Sequence, residues 1–387
     1  MVEQAMDTPA DAVSARHATG VLPSQAIRGL IDDGVITADS PIGEDQIQPA
    51  SIDLRLGTVA HRVQASFLPG TATVAEKLAQ FGLHAFDITG GAVLECGCVY
   101  IVPLCESLRL ERGLSAIANP KSSTGRLDIF TRLITDRGVE FDRVRGGYDG
   151  PLYAEISPRT FSVVVRAGAR LNQLRLKSGQ FSYSDRAMRQ LNRKVGLIDA
   201  DPQPGNLKDG IPFTVDLQGD PDTGLVGFRA RKNTRLIDVD NKGGYDPVEF
   251  WEPIYRGRLA AIVLNPDDFY ILASREAVTV PPDHAAEMVA YDTLVGEFRV
   301  HYAGFFDPGF GDAGSGGGGS RAVLEVRSHD VPFMIEHGQI MGRLVYERLT
   351  ETPDRVYGQG IGSSYQRQGL QLGKHFTPWP GPGKAGG

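Results

Sequence analysis

Cysteine is scarce in this sequence, long apolar runs are missing, and positive charge does not dominate. Three cysteines in 387 residues exclude a disulfide-stapled scaffold and fit a reducing compartment, so the expected location is the cytoplasm. Cys96, Cys98 and Cys105 lie close together, but a structural zinc usually takes four ligands and Val99-Tyr100-Ile101-Val102 has strand character. They therefore read as buried free thiols rather than a metal site. No apolar stretch approaches the roughly 18 residues of a membrane helix. Residues 1–20 carry no hydrophobic segment of the kind a secretory signal needs. Lys and Arg number 40 against 47 Asp and Glu, a net charge of −7. Without a broad basic surface the chain is not expected to bind nucleic acid. A small anion needs only a local group of cations, and that the sequence has.

Long amphipathic helices are missing too. After residues 1–20, read as a disordered leader, Ser24 is placed to cap a short helix with Ile27, Leu30 and Ile31 on one face and Gly34 as its stop. Residues 49–57 alternate like a strand that ends in a turn. From there to Lys177, short β-type runs are separated by Gly, Pro and Asp; 100–103 and 161–165 are the clearest strands. A mostly β domain is predicted. The pattern then recurs. Ser184 to Leu191 resembles the opening helix, and Pro212 to Leu217 matches Pro49 to Leu54. Tyr270-Ile271 and Glu276 match Tyr100-Ile101 and Glu106, Glu325-Val326 matches Glu155-Ile156, and Gly338 and Leu344 match Gly168 and Leu174. These last groups share one offset (270 − 100 = 325 − 155 = 170), whereas accidental matches between β-proteins of like composition would scatter. The expected organisation is a leader (1–20), a first domain (21–180), a second, degenerate copy (181–376) and a disordered tail (377–387).

Chemistry is concentrated in Lys121-Ser122-Ser123-Thr124-Gly125-Arg126, two cations, three hydroxyls and a glycine. Such a loop suits a phosphate chain, with hydroxyls and backbone N–H groups donating and cations neutralising. Downstream, Glu155 sits among Leu152, Tyr153, Ala154 and Ile156; burial raises a carboxylate's pKa and prepares it to handle protons. A structural acid paired with an arginine such as Arg159 is the alternative. In the second half the loop's counterparts are Tyr291, Asp292, Thr293 and Gly296, so that copy has kept the fold and lost the cations. The run Gly314 to Ser320 reads as a flexible hairpin tip. Tyr357 to Gly369, polar and rich in glycine, reads as a mobile lid or a plain surface tail.

Together these segments resemble the dCTP deaminases, which share a trimeric all-β fold with the dUTP diphosphatases. Residues 48–57 look like the family's N-terminal strand motif, and Lys121 to Leu127 like its Arg-Ser-Ser-x-x-Arg phosphate loop. Gly147 to Glu155 look like the strand that ends in the catalytic Glu, and Tyr357 to Gly369 like the C-terminal lid. The resemblance implies tandem dUTPase-like distorted β-barrel or jelly-roll domains with a few short helices, in a homotrimer or other homo-oligomer, as in longer bacterial members. It implies Glu155 as the base, Lys121, Ser122, Ser123 and Arg126 on the triphosphate, and Asp142, Tyr153, Ala154, Tyr357 and Gln368 as further contacts to dCTP or dUTP. Mg²⁺ would arrive with the triphosphate. The His-x-Glu and Pro-Cys-x-x-Cys signature of zinc deaminases is not found, so a water activated by Glu without zinc is expected. Ser364 stands where the lid usually has Lys, and the family's Asp-Pro-Gly turn occurs only at Asp307, in the second half. With loop and lid in different halves, a composite site is expected. A dUTP diphosphatase using Asp149, a bifunctional enzyme and a non-catalytic nucleotide-binding regulator are the competing readings.

Overall fold

The computed structural model describes residues 19–200, 207, 209–289, 298–300, 304–315, 317–328, 330–358 and 369–381. Most of residues 1–20 lies outside them, as do the loop counterparts 291–297. Strands dominate and the helices are short, as the alternation of the sequence demands. The opening helix, Ser24–Asp32, buries Ile27, and Gly34 follows its end at φ 70°. Its N-cap is Pro23 rather than Ser24, because the Ser24 hydroxyl is drawn away to the Asp354 carboxylate. The helix Asp185–Val195 is capped by Ser184, whose Oγ accepts from Ala187 N at 3.3 Å.

Two six-stranded sheets build most of the first half, and a third, of three strands, joins Ala92–Leu94 and Val163–Val165 to Ile237–Asp238 of the second half. In one of the larger sheets, Leu114–Pro120 pairs with Asn172–Ser178, which in turn pairs with Ser51–Leu54. In the other, Asp149–Pro158 is a central strand between Ile129–Thr135 and Val99–Arg109, with Glu155 opposite Arg132 on one side and Ile101 on the other. The second half repeats this register. Ser320–Ser328 pairs with Phe269–Val278 so that Glu325 lies opposite Ile271, which is the Glu155–Ile101 pairing displaced by 170. A local bond repeats at the same offset: Glu95 N donates to the Tyr100 hydroxyl, and Asn265 N to that of Tyr270, each at 3.0 Å.

The halves share a core. Phe161 from the first packs edge-on against Trp251 (5.5 Å) and Phe250 (5.9 Å) from the second, and Phe376 closes the cluster on Trp251 at 5.9 Å. Buried polar contacts fix the docking angle. Arg175 Nη1 donates to the Ala286 carbonyl at 3.1 Å, Lys177 pairs with Glu347 at 2.6 Å, and Arg327 pairs with Asp128. Polar groups buried this way are costly unless partnered, so they admit few alternative arrangements.

Three local expectations differ from the structure. The cysteines are free, but Cys96 is exposed and Cys98 and Cys105 are only partly buried, because Cys96 lies in the turn between Ala92–Leu94 and Val99–Arg109. The glycine-rich run is no projecting tip. Gly317 N donates to Asp312 O at 2.7 Å and Gly319 N to Gly311 O at 2.9 Å, so the run folds back on its own base. A Cβ at Gly317 would stand 2.4 Å from the Gly311 carbonyl carbon, and glycine permits that approach. Finally, residues 377–381 belong to the packed structure: Thr377 N donates to Tyr245 O at 2.9 Å, and Trp379 packs on Phe228 at 5.0 Å.

Candidate active site

Leu114–Pro120 delivers the Lys121 loop to the junction between the halves. Lys121 N donates to Leu171 O at 2.8 Å and the Thr124 hydroxyl to the same carbonyl at 2.9 Å. Ser122–Gly125 forms a single helical turn, which turns the chain back so that Arg126 and Asp128 face the second half. There they meet Glu325 and Arg327, which project from one face of a strand because side chains two apart share a face. Arg126 Nε lies 3.9 Å from Glu325 Oε1, and Asp128 accepts from Arg327. The two pairs run in opposite electrical sense across the seam, so a shift of two residues would set like charges together.

This seam opens into a cleft of about 740 Å³ lined from both halves. The first half contributes Lys121, Ser122, Ser123 and Arg126, as the sequence led one to expect. The second contributes Glu325, Asp307, Phe306, Tyr357, Lys374 and His375. Lys121 is paired with Asp53 at the cleft floor. Glu325 is only 4 % exposed, and burial raises its pKa to about 7 against the opposing pull of Arg126. A carboxylate titrating there can both take and return a proton at neutral pH. Asp307 begins a tight turn in which Phe310 N donates to its carbonyl at 3.0 Å. Burial raises the Asp307 pKa to about 6 although Arg175 stands 3.7 Å away. Tyr357 N donates to Pro308 O at 2.7 Å, which ties the start of the lid sequence to that turn. Gln368 lies outside the described residues.

The structure does not bring Glu155, Asp142, Tyr153 or Ala154 to this cleft. Glu155 is buried in its own half, where Oε1 accepts from Arg132 Nε at 3.0 Å, and Arg132 stacks over Phe141 at 3.5 Å. The structural-acid alternative is what the geometry realises, with Arg132 in the place suggested for Arg159. Asp142, at φ 63°, turns its carboxylate inward to accept from Leu133 N at 2.7 Å. Burial raises its pKa to about 7. Tyr153 and Ala154 have strand partners on both sides, Ile134 and Leu133 on one and Pro103 and Val102 on the other. The ladder on both sides of these two residues keeps their backbone from the nucleotide contacts expected of them. Glu325 and Asp307 are the acids of raised pKa that line the cleft instead. Two signals in the sequence point to them: the shared offset of 170, and the lid and Asp-Pro-Gly turn lying in the second half.

Comparison with known proteins gives concordant results. The family model described as the 2'-deoxycytidine 5'-triphosphate deaminase (DCD) N-terminal domain matches residues 18–180, and that of the DCD C-terminal domain matches 184–376. A relative from Beutenbergia cavernae named "dCTP deaminase, dUMP-forming" is 34% identical over 151 residues, covering 37% of this chain and 74% of the relative. One of the same name from Pseudarthrobacter chlorophenolicus is 30% identical over 151 residues, covering 37% and 75%. The crystal structure of a 2'-deoxycytidine 5'-triphosphate deaminase from Agrobacterium tumefaciens superposes with a TM-score of 0.82 at 55% identity, covering 86% of this chain and 99% of that one.

Proposed function

The chain belongs to the dCTP deaminase family, and on that premise we propose that it deaminates dCTP at one composite site per chain, with Glu325 as the proton-handling carboxylate. The observation that carries this reading is the cleft in which the cationic loop of one half and a buried acid of the other face each other. The ionised Glu325 takes a proton from water as the oxygen adds to C4 of the cytosine ring. It passes that proton to N3, then takes the remaining proton of the added hydroxyl and gives it to the departing amine, so that water and dCTP become dUTP and ammonia. Lys121, Ser122, Ser123 and Arg126 hold the triphosphate. In this reading the first half supplies the phosphate loop and the second the acid, while the equivalent acid of the first half, Glu155, is paired with Arg132 outside the cleft.

Among the described residues no three carboxylate, imidazole or thiolate side chains meet as a metal cage. In this reading Mg²⁺ is a counter-ion held by the phosphate oxygens, where it offsets charge that the loop alone would have to neutralise. No helix of the described residues is long and apolar enough to cross a membrane. The cytoplasm, suggested by three free cysteines, and a homo-oligomeric, trimeric assembly belong to the proposal; light scattering on the purified protein tests the latter.

The experiment is incubation with dCTP, following ammonia and pyrophosphate separately. Ammonia with intact dUTP supports the reading. Pyrophosphate in equal amount supports the bifunctional one, which has the names of the dUMP-forming relatives in its favour. Tight dCTP binding with neither product would overturn both.

A further inference from the structure

We infer that the segment 371–376, beyond the lid sequence, forms a wall of the triphosphate site, and that Lys374 contacts the outer phosphates. The inference rests on the deaminase reading of the cleft. The segment passes directly over the phosphate loop: Arg126 Nη1 donates to the carbonyls of Gln371 at 3.1 Å and Leu372 at 3.4 Å. A Cβ at Gly373 would stand 3.5 Å from that of Arg126. The segment is equally pinned to the second half. Gly243 N donates to Lys374 O at 3.0 Å, Tyr245 N to His375 O at 3.2 Å, and Thr377 N back to Tyr245 O at 2.9 Å. Phe376 is sunk among Tyr245, Phe250 and Trp251.

His375 locks the strap from inside. Its ring is buried, and burial together with the neighbouring Lys374 lowers its pKa to about 4. The neutral imidazole carries its proton on Nε2 and donates to the Val239 carbonyl at 3.1 Å. Arg126 thus holds the residues before Lys374, and His375 and Phe376 hold those after it. Lys374 is left at the cleft wall, which it shares with Lys121 and Lys242. Burial and the charges of these two lysines all push its pKa below the usual lysine range. Asp53, which pairs with Lys121, and Asp240 offset part of this charge, and three lysines on one opening still offer a polyanion several cationic contacts. Lys374 shares the cleft wall with Lys121 of the phosphate loop, so its contact is assigned to the outer phosphates, which gives the enzyme its preference for a triphosphate.

The test measures kcat/KM for ammonia release from dCTP and dCMP in the wild type, Lys374→Gln and Lys374→Arg, with thermal unfolding as a check on the fold. Loss of one charge-assisted contact should reduce the dCTP-over-dCMP preference of Lys374→Gln about tenfold, and Lys374→Arg should recover most of it. An unchanged preference in a folded Lys374→Gln protein would overturn the inference. So would an equal fall for both nucleotides, which marks a strap that positions Arg126 and touches no outer phosphate. If the wild type releases no ammonia at all, the deaminase reading fails by itself. Calorimetric titration of dCTP and dCMP into the same proteins then decides the role of Lys374 by the same ratio.

Discussion

Exchanging glutamate for glutamine at two positions, 325 and 155, separates the chemistry from its look-alike. Both acids are buried, both lie opposite an isoleucine in the same register, and both have an arginine within reach. Glu325→Gln keeps the shape and the contact with Arg126 but cannot accept a proton from water. General acid–base catalysis is worth about 10²–10⁴ in rate, or roughly 3–5 kcal/mol at 1.36 kcal/mol per decade. Here one group serves several proton transfers, so the loss should lie at the upper end. Glu155→Gln leaves the cleft intact and removes the charge that Arg132 faces. The expected cost is about 1–3 kcal/mol of stability, with ammonia release at saturating dCTP within a few-fold of wild type. The assay is ammonia release for both variants, paired with urea unfolding. An active Glu325→Gln enzyme beside a silent but folded Glu155→Gln enzyme would refute the reasoning, because it would place the chemistry in the half without the shared cleft.

Other consequences follow from the same geometry. Since Glu325 must be ionised to take the proton from water, kcat/KM should fall about tenfold per pH unit below about pH 7; a flat profile between pH 5 and 7 would exclude Glu325 as the base. The same group makes a stability prediction with a definite sign. Its folded pKa is raised from 4.5 to about 7, so its contribution is fully present below 4.5 and is lost as pH rises through 7. Glu325→Gln removes this dependence and should gain up to about 3 kcal/mol on wild type between pH 4.5 and pH 8, read from urea unfolding at both values; an invariant difference would contradict it. Gly311 has φ 68°, and a Cβ there would lie 2.1 Å from the Val278 carbonyl oxygen. Gly311→Ala should therefore cost more than about 1 kcal/mol, visible as a lower Tm, and an unaltered Tm would mean that the loop relaxes freely. Asp128→Asn should cost about 3–5 kcal/mol by leaving Arg327 buried without its counter-charge, and should raise KM for dCTP through displacement of the loop. A variant with wild-type stability would show that the seam does not depend on this pair.

Local sequence determined a great deal. Alternation with period two, interrupted by Gly, Pro and Asp, dictated strands, since each such residue either breaks the ladder or turns the chain. The composition of Lys121 to Arg126 pointed to an anion-binding loop without any structure, because charge and hydroxyl density are local properties. The repeat of Tyr100 and Glu155 at Tyr270 and Glu325 identified two equivalent acids. Which acid enters the shared cleft was not local. Glu155 and Glu325 hold equivalent register positions, opposite Ile101 and Ile271, and what distinguishes them is the partner arriving from far along the chain: Arg132, 23 residues away on the adjacent strand, or Arg126, on the loop of the other half. That choice depends on how the halves dock. Docking is set by contacts such as Asp128 with Arg327, separated by 199 residues, and Phe161 with Trp251. Pairing at that distance leaves no periodicity or spacing to read, and only the tertiary structure decides it.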